Sequence, residues 1–548
     1  MKTRKAGKWM RKILSLAGAL CMLFAMGPAA SADAAALATA DISEYFTERD
    51  LSGDWEAGEA EEIRLEGSTA SSYSENVKVD GSRITITGKG VYVLTGTLEE
   101  GTVVVDAEEA KVQLVLAGVS ISSSTDACIR VENADKAFIT LAEGTENSLT
   151  NSAGFTADDE VDAVVYALDD LTINGAGSLT IISAENGISG HDDLKIASGT
   201  LNVTAANHAL DANDSVRIAG GALSLTAGQD GIHVSSSEEA DKGYVLIFDG
   251  SLSISAGDDG IHAGSDLGIL GGTIRVEKSY EGLEGNTITI GGGEIYVRAS
   301  DDGLNAAGGN DGSGWGRFDE FSAQEGVEIR ISGGVVTVNA DGDGIDSNGN
   351  LIVTGGTVTV SGPTNSGNGA LDYNGTAVIT GGTFVAAGAA GMDQSFTSGS
   401  TQAALLTYMN GSAGTLTVTD AAGNVVITAE LEKSWQSLVI SSPDLTVGSS
   451  YTLRSGSVTA TANLTSQLTG SAQGMGGFGG GMGGFGGGMG GGRGGMGRGG
   501  WTGQSGQNGQ NDQSGQSGQN GQNEQNGQNG QNGFGGGRGG MGGGRGGW

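Results

Sequence analysis

The sequence predicts an all-β chain: a single-stranded right-handed parallel β-helix with β caps and a disordered glycine-rich tail. Three observations predict it. Short β-branched runs recur from residue 61 onward, an acidic turn returns at a step near 22 residues, and glycine pairs punctuate the runs. Composition agrees. With 103 Gly, 3 Pro and 17% charged residues among 548, the chain has the profile of a repetitive β architecture joined to low-complexity sequence.

Residues 1–32 read as a secretory signal peptide. Lys2, Arg4, Lys5, Lys8, Arg11 and Lys12 precede an apolar run at 13–26 and then Pro28-Ala29-Ala30-Ser31-Ala32, the charged, apolar and small-residue order of such a leader. The run is short for a membrane span, so no span is expected once it is removed. Cys21 leaves with it, so Cys128 is the one remaining thiol and no internal disulfide can form. Loss of the six basic residues takes the formal charge from −36 to −42. Such a surface repels nucleic acid and anionic lipid and attracts cations. A secreted or surface-associated protein with no nucleic-acid partner is expected.

Residues 33–60 are polar and read as an irregular lead-in. From residue 61 to about 400 strands are expected at short intervals, among them 84–87, 91–94, 102–105, 112–116 and 138–141, all rich in β-branched residues. The acidic turns Ala227-Gly228-Gln229-Asp230-Gly231-Ile232-His233, Ala256-Gly257-Asp258-Asp259-Gly260-Ile261-His262, Ala299-Ser300-Asp301-Asp302-Gly303-Leu304-Asn305 and Ala340-Asp341-Gly342-Asp343-Gly344-Ile345-Asp346 set the period. Their small anchor residues are Gly187, Ala209, Gly231, Gly260, Gly282, Gly303, Gly344, Ala370 and Gly391, at steps of 22, 22, 29, 22, 21, 41, 26 and 21. The modal step is about one coil of a parallel β-helix, in which stacking pairs each coil's backbone with its neighbours. Ile274 and Val276, Leu252 and Ile254, and Val336 and Val338 are the expected inward positions. Gly271-Gly272, Gly333-Gly334, Gly355-Gly356 and Gly381-Gly382 mark corners that need positive φ or close approach.

The step of 29 carries an insertion at 235–244. The step of 41 carries a longer one at 307–324 that includes Trp315, Phe318 and Phe321. Residues 401–470 read as a C-terminal antiparallel β-cap with strands at 415–418, 425–431, 438–440 and 451–453, covering an edge that would otherwise recruit other chains. Residues 471–548 are Gly, Met, Gln and Asn repeats that bury too little to fold.

Stacking turns sequence spacing into columns. Just before the anchors lie Asn186, His208, Asp230, Asp259, Glu281, Asp302 and Asp343; two residues after them lie Ser189, Asp211, His233, His262, Glu284, Asn305, Asp346 and Asp372. Carboxylates about 4.8 Å apart repel by roughly 0.9 kcal/mol in water and roughly 3.5 kcal/mol at an effective dielectric of 20. A hard cation satisfied by oxygen, Ca2+, is the natural counter-charge. Asp258, Asp259, Glu281, Glu284, Asp301, Asp302, Asn305, Asp341, Asp343, Asp346 and Asp372 are its candidate ligands. The alternative is that Asp-Gly here is turn chemistry with solvated carboxylates. His233 and His262 occupy equivalent positions, as a transition-metal or catalytic pair or as exposed turn residues. Nucleophile-elbow, HExxH and phosphate-loop motifs are absent from the sequence.

Several phrases together resemble a known family. Phe46-Thr47-Glu48-Arg49-Asp50-Leu51-Ser52-Gly53-Asp54-Trp55, Val91-Tyr92-Val93-Leu94-Thr95-Gly96-Thr97-Leu98, Ala142-Glu143-Gly144-Thr145-Glu146-Asn147-Ser148-Leu149, Lys278-Ser279-Tyr280-Glu281-Gly282-Leu283-Glu284-Gly285 and Asn365-Ser366-Gly367-Asn368-Gly369-Ala370-Leu371-Asp372-Tyr373 look like the secreted clostridial carbohydrate-binding β-helix family. The resemblance runs from about Asp41 to Leu453. It implies a pectate-lyase-like fold, calcium binding, and binding of cellulose and acidic plant sugars without established cleavage.

The leading expectation is therefore a non-catalytic protein that binds polysaccharide, either acidic glycan such as polygalacturonate or cellulose, with calcium bridging to uronate. Tyr280, Trp315, Phe318, Phe321 and Tyr373 either stack on sugar rings or pack the long loop onto the coils. One alternative is a calcium-dependent pectate-lyase-like polysaccharide lyase with Arg275 or Arg298 as base, although outward arginines are commonly just solubilising. The other is a surface adhesin or matrix protein acting through the tail.

Overall fold

The computed structural model describes residues 40–151, 161–235, 239, 242–307 and 322–470. The chain divides into two units, Met1–Gly481 and Met482–Trp548, and every described residue belongs to the first. The expected signal peptide, the tail from residue 471, and Trp315, Phe318 and Phe321 in the 41-residue step lie outside the described residues. Among the described residues no helix is long and apolar enough to cross a membrane.

The fold is all-β and rich in parallel pairs, built as three columns of strands that the chain visits in turn. One round runs through Thr200–Ala205, Leu210–Ala212 and Ser215–Ile218 before it reaches Ala222–Ala227. Leu201 then lies beside Leu223, Leu210 beside Ile232, and Val216 beside Val245. The first two offsets match the sequence step, and the third carries the insertion. Several sheets result: one of 27 strands, one of 13 and one of 4. The largest holds two of the columns, because the long strand Lys111–Ser123 pairs with both Lys136–Leu141 and Glu146–Asn151. The 13-stranded sheet is the column of short strands that carries the acidic turns.

Alternation explains the core. Thr200–Ala205 and Ala222–Ala227 bury every second residue. The expected inward pairs Leu252 and Ile254, Ile274 and Val276, and Val336 and Val338 are each at most 1% exposed, every such side chain contributing about 1.5–3 kcal/mol by burial. The glycine pairs divide their labour. A Cβ on Gly271 would meet the Phe248 carbonyl oxygen of the preceding round at 2.3 Å, while Gly272 adopts φ +85°. The first glycine admits the neighbouring backbone and the second turns the corner. Cys128 is fully buried, and burial pushes its thiol up to about 12, so it is inert.

At the ends one expectation gains detail and one is corrected. Residues 40–60 of the lead-in hold two single helical turns, Ile42–Tyr45 and Glu48–Leu51, in otherwise irregular chain, the second closed by a capping box between Thr47 and Asp50. This segment straps the outer flank of the rounds. Asp50 is wholly buried, with Lys136 Nζ at 2.6 Å, Lys195 Nζ at 3.8 Å and Thr172 Oγ1 at 3.0 Å. Asn174 donates to the carbonyls of Asp50 and Ser52, and the Arg49 guanidinium lies 4.6 Å from the Phe138 ring centre. Polarity alone could not reveal a segment whose one buried charge finds its partners roughly a hundred residues away.

At the other end the four-stranded antiparallel sheet is Val425–Leu431, Gly414–Thr419, Ser450–Ser455 and Val458–Asn463. Trp435–Ser441, which contains the expected cap strand 438–440, instead pairs antiparallel with Thr383–Gly388 and Ala404–Gly411 and extends the main sheet.

Candidate functional site

The short-strand column places its outward side chains in one line. Ser189, Asp211, His233, His262, Glu284, Asn305, Asp346 and Asp372 are successive register partners, the order that their spacing predicts, and the 41-residue step is accommodated without a break in register. The residues preceding the anchors form a second line. Asp230 Oδ1 accepts the Asp259 amide at 2.8 Å, Asp302 Oδ1 the Asp343 amide at 2.6 Å, and Asp343 Oδ1 the Gly369 amide at 2.5 Å. One oxygen of each of these carboxylates thus holds the next turn in place.

Between the two lines lies a cleft of about 570 Å³, lined by residues that include Asp230, His233, Asp258, Asp259, His262, Tyr280, Glu281, Glu284, Asn305 and Asp346. Its two halves differ in donor chemistry. At the all-oxygen end, where Asn305 and Asp346 line the cleft, donor atoms of Asp302, Asp343 and Asp346 lie within 4.8 Å of one another. Among the described residues no salt bridge reaches any of the three. Burial, reinforced by mutual repulsion, pushes Asp302 up to about 6, Asp343 to about 7 and Asp346 to about 9. Glu281 rises to about 8 by burial, although Asn305 Nδ2 donates to it at 2.6 Å. Asp372, raised by burial, accepts from Gln394.

In the histidine half the carboxylates meet imidazoles. Nδ1 of His233 is 2.6 Å from Asp211 Oδ1, and Nδ1 of His208 is 3.1 Å from Asp230 Oδ2. Nδ1 of His262 lies between Glu284 Oε2 at 2.5 Å and Asp259 Oδ2 at 3.3 Å. The rings stack, with centroids 4.3 Å apart for His208 and His233 and 5.3 Å for His233 and His262. Burial opposes charging His262, but its two carboxylates override burial and lift it to about 10. Burial pushes Asp259 up against the opposing pull of His262, with neighbouring Glu284 adding to the rise; burial works against Glu284 too, yet His262 holds it below the usual range.

The other candidates scatter. Asp341 is exposed and faces Lys433 at 2.6 Å. Asp301 engages Tyr280, whose phenol rises to about 12 through that hydrogen bond. Exposed Asp258 has a donor atom near Asp230 and Asp259. Tyr373 is half-buried against the core, and its hydroxyl donates to the Ser395 carbonyl. Arg275 pairs with Glu277 at 2.8 Å and Arg298 with Glu432 at 2.9 Å; both leave the long-strand column, and neither lines the cleft. Spacing understated His208. It belongs to the line before the anchors, one line away from His233, and only the close approach of the two lines stacks their rings.

A family described as carbohydrate-binding domain-containing protein matches residues 80–326. A carbohydrate-binding domain-containing protein of Acetivibrio thermocellus (strain ATCC 27405) is 38% identical over 128 residues, 22% of this chain, and the chain spans 45% of that relative's length. A solved polysaccharide lyase-like protein from C. thermocellum, a gadolinium derivative, is 33% identical and is covered to 96% by 45% of this chain, with a TM-score of 0.38. Over residues 80–326, which hold the histidine half of the cleft and end before Asp343 and Asp346, this chain is similar to carbohydrate-binding domain-containing proteins.

Proposed function

We propose that this is a secreted, non-catalytic carbohydrate-binding protein in which a right-handed parallel β-helix presents calcium to an acidic polysaccharide. One observation carries the calcium reading: donor atoms of Asp302, Asp343 and Asp346 converge within 4.8 Å where Asp346 lines the cleft, with no cation of the protein's own paired to them among the described residues. Oxygen-only donors in flexible turns fit Ca2+. The residues that would hold it are Asp302, Asp343 and Asp346, with Asn305 and Asp372 on the adjoining rounds. Bound calcium supplies positive charge to a uronate carboxylate, which resolves how a chain of formal charge −36 holds a polyanion. Exposed Tyr280, at the cleft's edge, offers a ring face to a sugar.

The lyase reading requires a base beside the substrate. Arg275 and Arg298, the bases that reading would use, are ion-paired with Glu277 and Glu432 and do not line the cleft, so neither supports β-elimination there. A glycan array run with calcium and with chelator tests the proposal. Calcium-dependent retention of polygalacturonate is expected; retention unaffected by chelator removes the metal bridge, and release of unsaturated uronate converts the reading to a lyase.

A further inference from the structure

We infer that the histidine half of the cleft is a second cation site of different selectivity, taking a borderline divalent metal of the zinc or cobalt class on His262, Asp259 and Glu284. The three donor atoms lie within 4.8 Å of one another. Asp259 and Glu284 are 7% and 5% exposed, so two largely desolvated carboxylates face a single imidazole. Two carboxylates balance a divalent charge, and a neutral imidazole nitrogen favours zinc, cobalt or nickel over calcium.

The spacing suits such an ion. With bonds of about 2.1 Å, neighbouring donors of a tetrahedral zinc lie roughly 3.4 Å apart. The separation of His262 Nδ1 from Asp259 Oδ2 is 3.3 Å. Glu284 Oε2, at 2.5 Å with a proton between, has to back off by roughly 1 Å when an ion takes the proton's place. The support is already built. His233 stacks on the His262 ring and is itself tied to Asp211, which restricts the ring plane. Asp259's other oxygen lies 3.3 Å from the Glu281 amide, and its own amide donates to Asp230. Three protein donors leave one position of a four-coordinate ion for water or a ligand oxygen, and all three residues line the cleft.

This inference does not rest on the calcium reading, because the donors differ. Co2+ titration of untagged, chelator-treated full-length protein tests it through the visible absorption of nitrogen-ligated cobalt. A spectrum saturating at one ion per chain is expected, insensitive to millimolar Ca2+. His262→Asn and Glu284→Gln should each weaken Co2+ binding at least about tenfold, with far-ultraviolet circular dichroism confirming that both fold. Asp346→Asn should leave the cobalt spectrum intact while removing the calcium response, so failure of one site is distinguishable from failure of the other. Absence of a saturable spectrum, or a spectrum that survives both His262→Asn and Glu284→Gln, overturns the inference.

Discussion

Asp50 is wholly buried and Asp346 half-buried against the outer side of the stacked rounds, and their carboxyls shift in opposite directions. For each, burial is the largest influence and raises the pKa. At Asp50 the hydrogen-bonded Lys136, together with Thr47, overrides burial and brings the carboxyl down to about 2. At Asp346 the neighbours Asp302, Asp343 and Asp372 add repulsion, and the carboxyl climbs to about 9. Desolvation is common to both sites; the counter-charge differs. The strap closes its electrostatics within the chain and is a structural device. The acidic column leaves its electrostatics open, to be closed by protons or by a cation from solution.

The comparison breaks most visibly if its closed member is opened. Asp50→Ala leaves Lys136 and Lys195 buried without their partner and should cost about 3–5 kcal/mol, read from chemical denaturation. A loss under about 1 kcal/mol would mean that the lysines reach water and the strap merely covers them. At the open member the sign reverses. Saturating Ca2+, at a hundred times its dissociation constant, should stabilise the protein by about 2.7 kcal/mol. Asp346→Asn should abolish that gain while stabilising the chelated protein, because it removes a repelled charge. Thermal unfolding with and without chelator reads both effects.

The pH dependence sharpens the contrast. Asp302, Asp343, Asp346 and Glu281 have folded pKa values raised to between about 6 and about 9. Their contribution is therefore fully present below the unfolded carboxylate range near pH 4 and is lost as pH rises toward 9. In chelator, stability should fall across that window, and calcium should flatten the fall. Asp50, depressed to about 2, contributes above pH 4 and is lost as pH drops through 2, so acid unfolding should begin at the strap. Hydrogen exchange of the 42–51 backbone at low pH checks the order. The smallest effect belongs to Arg298→Ala. Its pair with Glu432 is exposed, so a change of about 0–1 kcal/mol is expected, with glycan retention unaltered.

Much of the cleft was legible because stacking is a periodic operation. A step near 22 residues, once counted, places Asn305 beside Asp346 across a 41-residue step, and the strand register has them paired. Inward Leu252, Ile274 and Val336 followed from alternation alone. What escaped is aperiodic. Asp50 meets Lys136, Thr172 and Lys195 on three successive rounds. His208 stacks on His233 although the two belong to different lines of the column. Asp341, an apparent member of the acidic turn, is drawn off by Lys433 from the C-terminal region.

The all-β class, the inward and outward faces, and the residues that share a line follow from local alternation and a constant step, and are legible in the chain alone. Which carboxylates lack a counter-charge and which are neutralised is settled in three dimensions. That depends on where lysines and imidazoles remote in the chain, or out of phase with the period, come to rest, and Coulomb energy in a desolvated cleft is set by those few ångströms.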